Sequence, residues 1–251
     1  MEMIDDFFIS ENAVNSISDD NYKNLSFVFK TLDSVARQTN KSIYVVDLYK
    51  KNFLYVSDNP LFLCGYKPDE IKNMGYNFYF HQVPKDETRM LLRFNKAGFV
   101  FFHDTPVDVR MKLSFSCDFH ILENNRKKLI NQKITPLLLD NNGNVWLATC
   151  IVSLSYHQEA GNLEAHIEGS EYYWTYGMES HKWEQRKVIV LDEREKDILQ
   201  FFTQGYNEVQ IADILYISKR TVKFHKQKLF TKLDVNTISA ALLKSFQQKL
   251  I

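Results

Sequence analysis

The chain has 251 residues, 45% of them hydrophobic and 14% aromatic, and its 31 basic side chains balance its 31 acidic ones. That length accommodates one large domain or two smaller ones with separate cores. Few glycines and prolines exclude a long flexible linker, and three widely spaced cysteines exclude a disulfide scaffold or a zinc module. The acidic first residues do not form a secretory signal, and no apolar run is long enough to cross a bilayer, so we expect a cytoplasmic protein without a membrane partner.

Residues 1–40 are predicted to form an amino-terminal helical segment. The apolar side chains between residues 20 and 38 recur at the spacing of an amphipathic helix, namely Leu25, Val28, Phe29, Leu32, Val35 and Ala36. The apolar face of such a helix either covers a neighbouring sheet or pairs with its own copy in a dimer. The sequence alone leaves both roles open.

Between residues 41 and 160 the apolar pattern changes from helical to alternating, which predicts a domain built on a sheet. The predicted elements are two strands joined by a tight turn over 42–59, a short helix and turn over 59–73, a longer helix over 85–102, and three strands over 111–122, 128–140 and 144–156. The letters NNGN at 141–144 predict a hairpin turn between the last two strands. The predicted fold class is therefore α+β, with an antiparallel sheet and helices.

Two stretches, DNPLFLCGYKPDEIKNMG at 58–75 and FYFHQVPKDE at 78–87, resemble a PAS domain, as does the order of the predicted elements. The resemblance implies a sensory or interaction domain over 41–160 that responds to a small molecule, a cofactor or a partner protein. The sequence lacks the run around a reactive cysteine that flavin-binding PAS domains carry, and Cys64 is interpreted as a small buried residue. No cofactor is predicted. An unknown small-molecule ligand and a fully packed core remain alternatives.

Residues 161–186 are predicted to form an aromatic hairpin or linker that turns at 177–179. Its aromatic side chains, Tyr172, Trp174, Tyr176 and Trp183, are too many for a simple tether. We expect a stiff joint that packs against one or both domains, or against its copy in a dimer.

Residues 187–251 carry the signals of four helices. Residues of the types that cap helices stand at Asp192 with Glu195, at Asn207 with Gln210, at Ser218 and at Thr237. Two short helices joined by a tight turn and flanked by two more make a helix-turn-helix arrangement. From Gly205 onward, eight basic and three acidic side chains give a net charge of +5, which leaves −5 for the preceding residues. A basic domain on an acidic body indicates nucleic acid as its partner.

The third of these helices has no acidic side chain between Ser218 and Leu233. On a helical wheel its core-facing residues are Val222, His225, Leu229 and Leu233. On the opposite arc, the predicted DNA base contacts are Lys223, Phe224, Gln227 and Arg220. Around that arc, the predicted DNA phosphate contacts are Lys219, Thr221, Lys226, Lys228 and Lys232. Thr221 alternatively closes the first helical turn, and a lysine-rich helix that only confers solubility is the alternative for the whole face.

The segment from Leu191 to Leu243 resembles the LuxR-type helix-turn-helix domain in LDEREKDIL, GYNEVQIADIL, ISKRTVKFHKQKLFTKLDV and TISAALL. The resemblance implies that the third helix reads the major groove through Lys223, Phe224 and Gln227, which the wheel also places towards DNA. It further implies dimerisation through the last helix, with partner-facing roles for Ile238, Ala241, Leu242 and Ser245. Packing within the chain is the alternative for those four residues.

Basic face and resemblance together predict a sequence-specific transcriptional regulator that binds double-stranded DNA as a homodimer and is modulated by its PAS-like domain. RNA polymerase is a further candidate partner. One alternative is a constitutive or partner-controlled regulator whose PAS-like domain only dimerises, and another is a PAS-scaffolded cofactor-binding redox protein. The sequence has no nucleophile–base pair, metal-ligand cluster or glycine-rich phosphate loop, so no catalytic or metal-binding residue is predicted.

Overall fold

The computed structural model describes Phe7, Phe8 and residues 12–14, 16–124 and 126–251. Residues 1–6, 9–11 and 15 of the predicted amino-terminal segment lie outside the described residues. The chain divides into two compact units, Met1–Arg186 and Lys187–Ile251, called here the amino-terminal and the carboxy-terminal unit. Within the described ranges, no helix is both long and apolar enough to span a membrane.

The amino-terminal unit is built on one eight-stranded sheet. Its strands are β1 Ser42–Asp47, β2 Asn52–Val56, β3 Leu113–Glu123, β4 Arg126–Leu139, β5 Val145–Leu154, β6 Gly161–Ile167, β7 Tyr172–Tyr176 and β8 Trp183–Lys187. They lie in the order β2-β1-β5-β4-β3-β6-β7-β8, and β1 to β7 pair antiparallel. The first five strands, with the helices between β2 and β3, confirm the predicted PAS-like arrangement.

Seven helices accompany this sheet in the described residues. They are α1 Asp19–Lys23, α2 Leu25–Gln38, α3 Pro60–Leu63, α4 Pro68–Met74, α5 Asn77–Gln82, α6 Lys85–Asp104 and α7 Val107–Arg110. The long helix predicted over 85–102 is α6. Helices α5 and α7 were not predicted, because helices of six and four residues are too short to show a helical period.

Both faces of the sheet are covered, so every residue of β1 is buried. Successive side chains of a strand point to opposite faces, and Tyr44 accordingly packs under α3 to α6 while Val45 packs under α2. The ring of Phe29 in α2 stacks on Tyr55 at 5.7 Å, and the Tyr55 hydroxyl donates a hydrogen bond of 2.7 Å to Asp33. Of the two roles open to the amino-terminal helix, covering the sheet is therefore the one observed.

Residues 161–186 contain the predicted hairpin, formed by β7 and β8 around a turn that begins at Gly177, but they also continue the sheet beyond residue 160 instead of forming a linker. Strand β6 pairs with β3, and β7 pairs with β6. The rings of Trp174 and Trp183 lie 5.3 and 5.0 Å from the ring of Phe101 in α6. The aromatic side chains thus pack on the PAS-like domain, and the segment belongs to its sheet rather than to a joint after it.

A buried arginine fastens α6 to the turn between β4 and β5. Arg110 donates from Nε to the Thr105 carbonyl at 3.0 Å, from Nη1 to the Gly143 carbonyl at 2.9 Å and from Nη2 to the His103 carbonyl at 3.0 Å. Gly143 has a φ of +79°, and a Cβ there would lie 3.1 Å from the Arg110 Nη1 atom. The guanidinium therefore satisfies backbone acceptors of three separate residues that meet at one end of the sheet.

The carboxy-terminal unit consists of α8 Glu193–Thr203, α9 Glu208–Ile214, α10 Lys219–Leu233 and α11 Ile238–Gln247. The four predicted caps are confirmed, since the side chains of Asp192, Asn207, Ser218 and Thr237 each accept a hydrogen bond from a backbone N–H of the following turn. One apolar core joins the four helices and includes Ile198, Ile211, Val222, Leu229 and Leu233. The predicted helix-turn-helix fold is confirmed.

Candidate nucleic-acid interface and sensor cavity

A tight turn sets the direction of α10 after α9. Tyr216 adopts a left-handed conformation with φ of +54°, and the Ile217 N–H donates to the Ala212 carbonyl at 2.9 Å. Ser218 then caps α10 by accepting from the Thr221 N–H at 3.1 Å, and its hydroxyl lies 2.9 Å from the Thr221 hydroxyl. Thr221 thus helps to close the first helical turn, and its contact with a DNA phosphate stays a prediction.

The outer face of the first half of α10 is a cationic ridge, formed by Lys219, Arg220, Lys223, Phe224 and Gln227. All five side chains are exposed. The side chain of Phe224 is 65% exposed although it is apolar. Within the described part of the chain, none of the three cations forms an ion pair with a carboxylate, so each can still bind a ligand.

The flanks of α10 differ from the ridge, because their lysines pair with carboxylates of the same unit. Lys226 contacts Glu208 at the start of α9. On the other flank, Lys228 Nζ lies 3.0 Å from Glu195 Oε1, and Lys232 Nζ lies 2.6 Å from Glu195 Oε2. Three of the five residues predicted to contact phosphates thus form ion pairs within the chain. These pairs could not be predicted from the sequence, because the two partners of each pair are 18 to 37 residues apart.

Glu195 is a fully buried carboxylate at the centre of one of these clusters. Burial alone would raise the pKa of Glu195, but hydrogen bonds from Lys232, from the Asp192 N–H and from Lys228 outweigh burial and lower it. The hydrogen bond to Glu195 raises the pKa of Lys228 in turn. The sequence identified Glu195 only as the capping partner of Asp192, whereas the structure also makes it the tie between α8 and α10.

We expect the free energy of unfolding of residues 187–251 to fall as the pH drops below about 4.5. The pKa values of Asp192, Glu195 and Glu208 are lowered in the folded unit from ordinary values of 3.8, 4.5 and 4.5. As the pH falls, the unfolded chain therefore takes up protons before the folded unit does. The stability that these three carboxylates contribute is complete above their ordinary pKa values, and it is lost as the pH falls through their pKa values in the folded unit. Urea unfolding of a fragment that comprises residues 187–251, measured at neutral pH and at pH values below about 4.5, determines the loss of stability. Glu195→Gln should flatten the pH profile, and a midpoint that does not change with pH in the unaltered fragment would contradict the prediction.

The predicted dimerisation residues on α11 fall into two groups. Ala241 and Ser245 are completely buried in their own unit, and the Ser245 hydroxyl donates to the Ala241 carbonyl at 2.7 Å. A partner-facing role for these two is wrong, because the face that carries them packs on the other helices of the unit. Ile238 and Leu242 are half-buried and pack at the edge of the same core. Phe246 is the large apolar side chain that α11 exposes.

Inside the amino-terminal unit lies a cavity of about 130 Å³ between α6 and the sheet. Most of its wall is apolar, with Leu91, Phe94, Phe99, Ile134 and Ala148 among the lining residues. One part of the wall is polar, because Gln132 and Tyr79 also line the cavity. The Tyr44 hydroxyl donates to Gln132 Oε1 at 2.8 Å and lies 2.6 Å from the Tyr79 hydroxyl.

The titratable groups around this cavity are neutral. Burial raises the pKa of both Tyr44 and Tyr79 well above the ordinary value, so their hydroxyls stay protonated. Burial also raises the pKa of the Cys150 thiol, which lines the cavity, to about 12. Cys64 is buried as predicted, and burial raises the pKa of its thiol to about 12. Thiols with such values are poor nucleophiles at neutral pH.

The helix-turn-helix arrangement with an exposed cationic α10 defines a class of nucleic-acid-binding domains. Residues 190–244 match the family model described as GerE, bacterial regulatory proteins, luxR family. The carboxy-terminal unit is accordingly a LuxR-family helix-turn-helix domain, as the sequence analysis predicted.

Curated relatives match the same part of the chain. The nitrate/nitrite response regulator protein NarP of Escherichia coli (strain K12) is 42% identical over 66 residues, which are 26% of this chain and 31% of that protein. The transcriptional regulatory protein DegU of Brevibacillus brevis is 38% identical over 65 residues, 26% of this chain and 28% of that protein. The chain thus spans about a third of the length of the curated relatives it matches.

Two solved structures are similar to the chain, one over a quarter of its length and the other over most of it. The response regulator ChrA of a heme-sensing two-component system is 39% identical, with 26% of this chain and 32% of that chain covered and a TM-score of 0.24. The phage VqmA–DPO complex covers 92% of this chain and 91% of that chain, at 14% identity and a TM-score of 0.32.

Proposed function

We propose that this protein is a sequence-specific, DNA-binding transcriptional regulator of the cytoplasm whose DNA-reading element is α10. The observation that carries the proposal is the cationic ridge, which is exposed and free of carboxylate partners in the described residues. A helix with free cations in its first half and a fixed, capped start suits the major groove, where recognition helices contact bases with their first residues.

The proposed roles within the ridge follow from side-chain chemistry. The amide of Gln227 matches the donor and acceptor edge of adenine, Arg220 and Lys223 match the acceptors of guanine, and the ring of Phe224 suits a thymine methyl group. Lys219 lies at the start of the helix and is proposed to bind a backbone phosphate.

We expect the salt dependence of DNA binding to report how many cations engage. If only the unpaired ridge cations contact phosphates, one to three for each protomer of a dimer, the slope of log K against log salt is about −2 to −5. Release of Lys226, Lys228 and Lys232 from their carboxylates would steepen it to about −7 to −10. Fluorescence anisotropy titrations of the full chain at several salt concentrations measure the slope, and a slope near zero would refute electrostatic binding by α10.

Dimerisation on DNA is proposed to use the outer face of α11. Leu242 and Leu243 are half-buried and Phe246 is 55% exposed, so the helix retains apolar surface after packing on its own core. Phe246 lies four residues after Leu242 and three after Leu243, so its side chain neighbours both on one side of the helix. RNA polymerase is proposed as a further partner only because the protein is proposed to regulate transcription.

The cavity of the PAS-like domain supports control by a small ligand. Its volume of about 130 Å³ is close to that of an engineered apolar cavity of about 150 Å³ that binds benzene. Burying a charge in an apolar site is costly, so the ligand is proposed to be neutral, with one ring and a polar group that meets Gln132 or Tyr79.

Gly98 lies on α6 and lines this cavity, so variants of Gly98 test whether the cavity binds a ligand. A Cβ at Gly98 meets only the Phe115 ring at ordinary contact distance, so a longer side chain has room to extend. We expect benzene to raise the melting temperature of the full chain and of Gly98→Ala, but not of Gly98→Leu, whose side chain fills the space. Both variants gain helix propensity, which makes Gly98→Ala the matched control. An equal shift in all three proteins would place the binding elsewhere.

The alternatives predict different outcomes in simple measurements. A constitutive or partner-controlled regulator would show no shift with single-ring compounds while still binding DNA. A redox protein with a bound cofactor would absorb visible light when purified.

A further inference from the structure

Glu208 is an acidic residue placed among the cations of the proposed DNA-binding face. It is the first residue of α9, and its carboxylate contacts Lys226 of α10. The hydrogen bond from Lys226 lowers the pKa of the Glu208 carboxyl, and the charges of Lys223 and Lys219 lower it further. The side chains of Glu208 and Lys226 are 18% and 29% exposed, so the pair lies at the surface and water reaches it.

We propose that Glu208 determines specificity by restraining the DNA-binding lysines. This inference rests on the proposed function. By holding Lys226 and offsetting part of the charge of Lys219 and Lys223, the carboxylate weakens attraction to the phosphate backbone, which is the same for every sequence. Contacts from Gln227 and Phe224 to base edges are uncharged and keep their strength. The ratio of specific to random binding therefore rises at the expense of overall affinity.

The geometry favours restraint over a direct base contact. A carboxylate that read a base would have to leave Lys226 and approach the strongly negative groove without that neutralising partner. While it remains paired, Lys226 cannot give its charge to a phosphate at full strength. The pair thus acts as an internal competitor of the DNA backbone.

Glu208→Gln removes the competing charge and keeps a side chain of the same size. We expect the full-length variant to bind a random-sequence duplex about two- to fivefold more tightly for each protomer, the range expected for loss of one competing surface ion pair. Its salt slope should steepen by about one for each protomer, because one more phosphate contact forms in each protomer. Its preference for a duplex selected from a random library over the random duplex should fall.

Glu193→Gln is the matched control. Glu193 is the first residue of α8, is 86% exposed and pairs with Lys196 of its own helix rather than with α10. The substitution changes the net charge of the protein equally, so it should leave the salt slope unchanged. In Lys226→Gln, the further change Glu208→Gln should no longer steepen the slope.

Five results would overturn the inference. They are an unchanged preference for the selected duplex in Glu208→Gln, an unchanged salt slope in that variant, an effect equal to that of Glu193→Gln, weaker binding to random DNA, and a steepening that persists without Lys226. In each case the proposed function stands if the unaltered chain binds DNA. If the unaltered chain binds no DNA, the proposed function fails as well, and the two failures are distinguished by that measurement. Thermal unfolding of each variant shows whether the fold is retained.

Discussion

Replacing Arg110 with methionine is expected to lower the free energy of unfolding of the amino-terminal unit by about 3–5 kcal/mol. The guanidinium donates to carbonyls of His103, Thr105 and Gly143, and Arg110 is 8% exposed. Methionine retains much of the side-chain volume but supplies no donor, so three acceptors at the end of α6 and in the β4–β5 turn lose their partner. Each buried carbonyl left without a donor costs about 1–3 kcal/mol, and water entering at this edge recovers part of the loss.

The measurement is chemical unfolding of the full chain. One signal reports the unfolding of the sheet, and a second signal reports the unfolding of the carboxy-terminal unit. Arg93→Met is the control, because Arg93 lies on α6 and is exposed; its effect should stay within about 0.5 kcal/mol. We also expect Arg110→Lys to recover little, since an ammonium cannot reproduce three donors in a planar fork. If Arg110→Met unfolds like Arg93→Met, the three hydrogen bonds contribute no net stability.

Local signals in the sequence predicted the local structure of this chain well. The caps of the four carboxy-terminal helices are set by residues that act within a single turn, so Asp192, Asn207, Ser218 and Thr237 mark the helix starts without knowledge of the rest of the fold. The short apolar run from Ile43 to Val46, followed by a turn, likewise predicted β1, and the period of two along a strand directs Tyr44 and Val45 to opposite faces.

Pairings between distant segments could not be predicted in the same way. Strand β6 lies beside β3, with Leu113 opposite Ile167, and no local pattern specifies which strand becomes a neighbour. The ion pairs of Lys226 and Lys232 join helices that are distant in sequence. A helical wheel shows which side of α10 these lysines occupy, but not that α8 and α9 bring carboxylates to the same side.

The assignment of Ala241 and Ser245 on α11 to a dimer face has a simpler explanation. Ala241 and Ser245 are one helical turn apart and small, which is compatible with a dimer face and equally with close packing inside the domain. The structure places both in the interior, where small side chains let α11 approach its neighbours. Exposure, which the sequence does not report, distinguishes these two from Phe246.

The same ion pairs change which variants test DNA reading. Lys226 looked like a representative phosphate contact on the wheel, but its charge is engaged by Glu208. Lys219 has no carboxylate partner in the described residues and stands at the start of α10. It is therefore the better control for a contact with the DNA backbone.

Lys223→Ala and Gln227→Ala are each expected to cost about 1–3 kcal/mol of binding free energy on the preferred DNA site, and much less on random DNA. Both side chains are exposed on the cationic ridge, one turn apart on the same side of α10. An alanine at either position leaves base edges without a partner, and this loss is felt only where the correct base is present. Lys219→Ala should instead weaken both complexes by a similar factor and reduce the salt slope by about one for each protomer. Titration of the three variants against a selected site and a random duplex, at two salt concentrations, separates these effects. Should Lys219→Ala abolish the preference while the other two leave it intact, α10 presents a different side to DNA and the proposed base contacts are wrong.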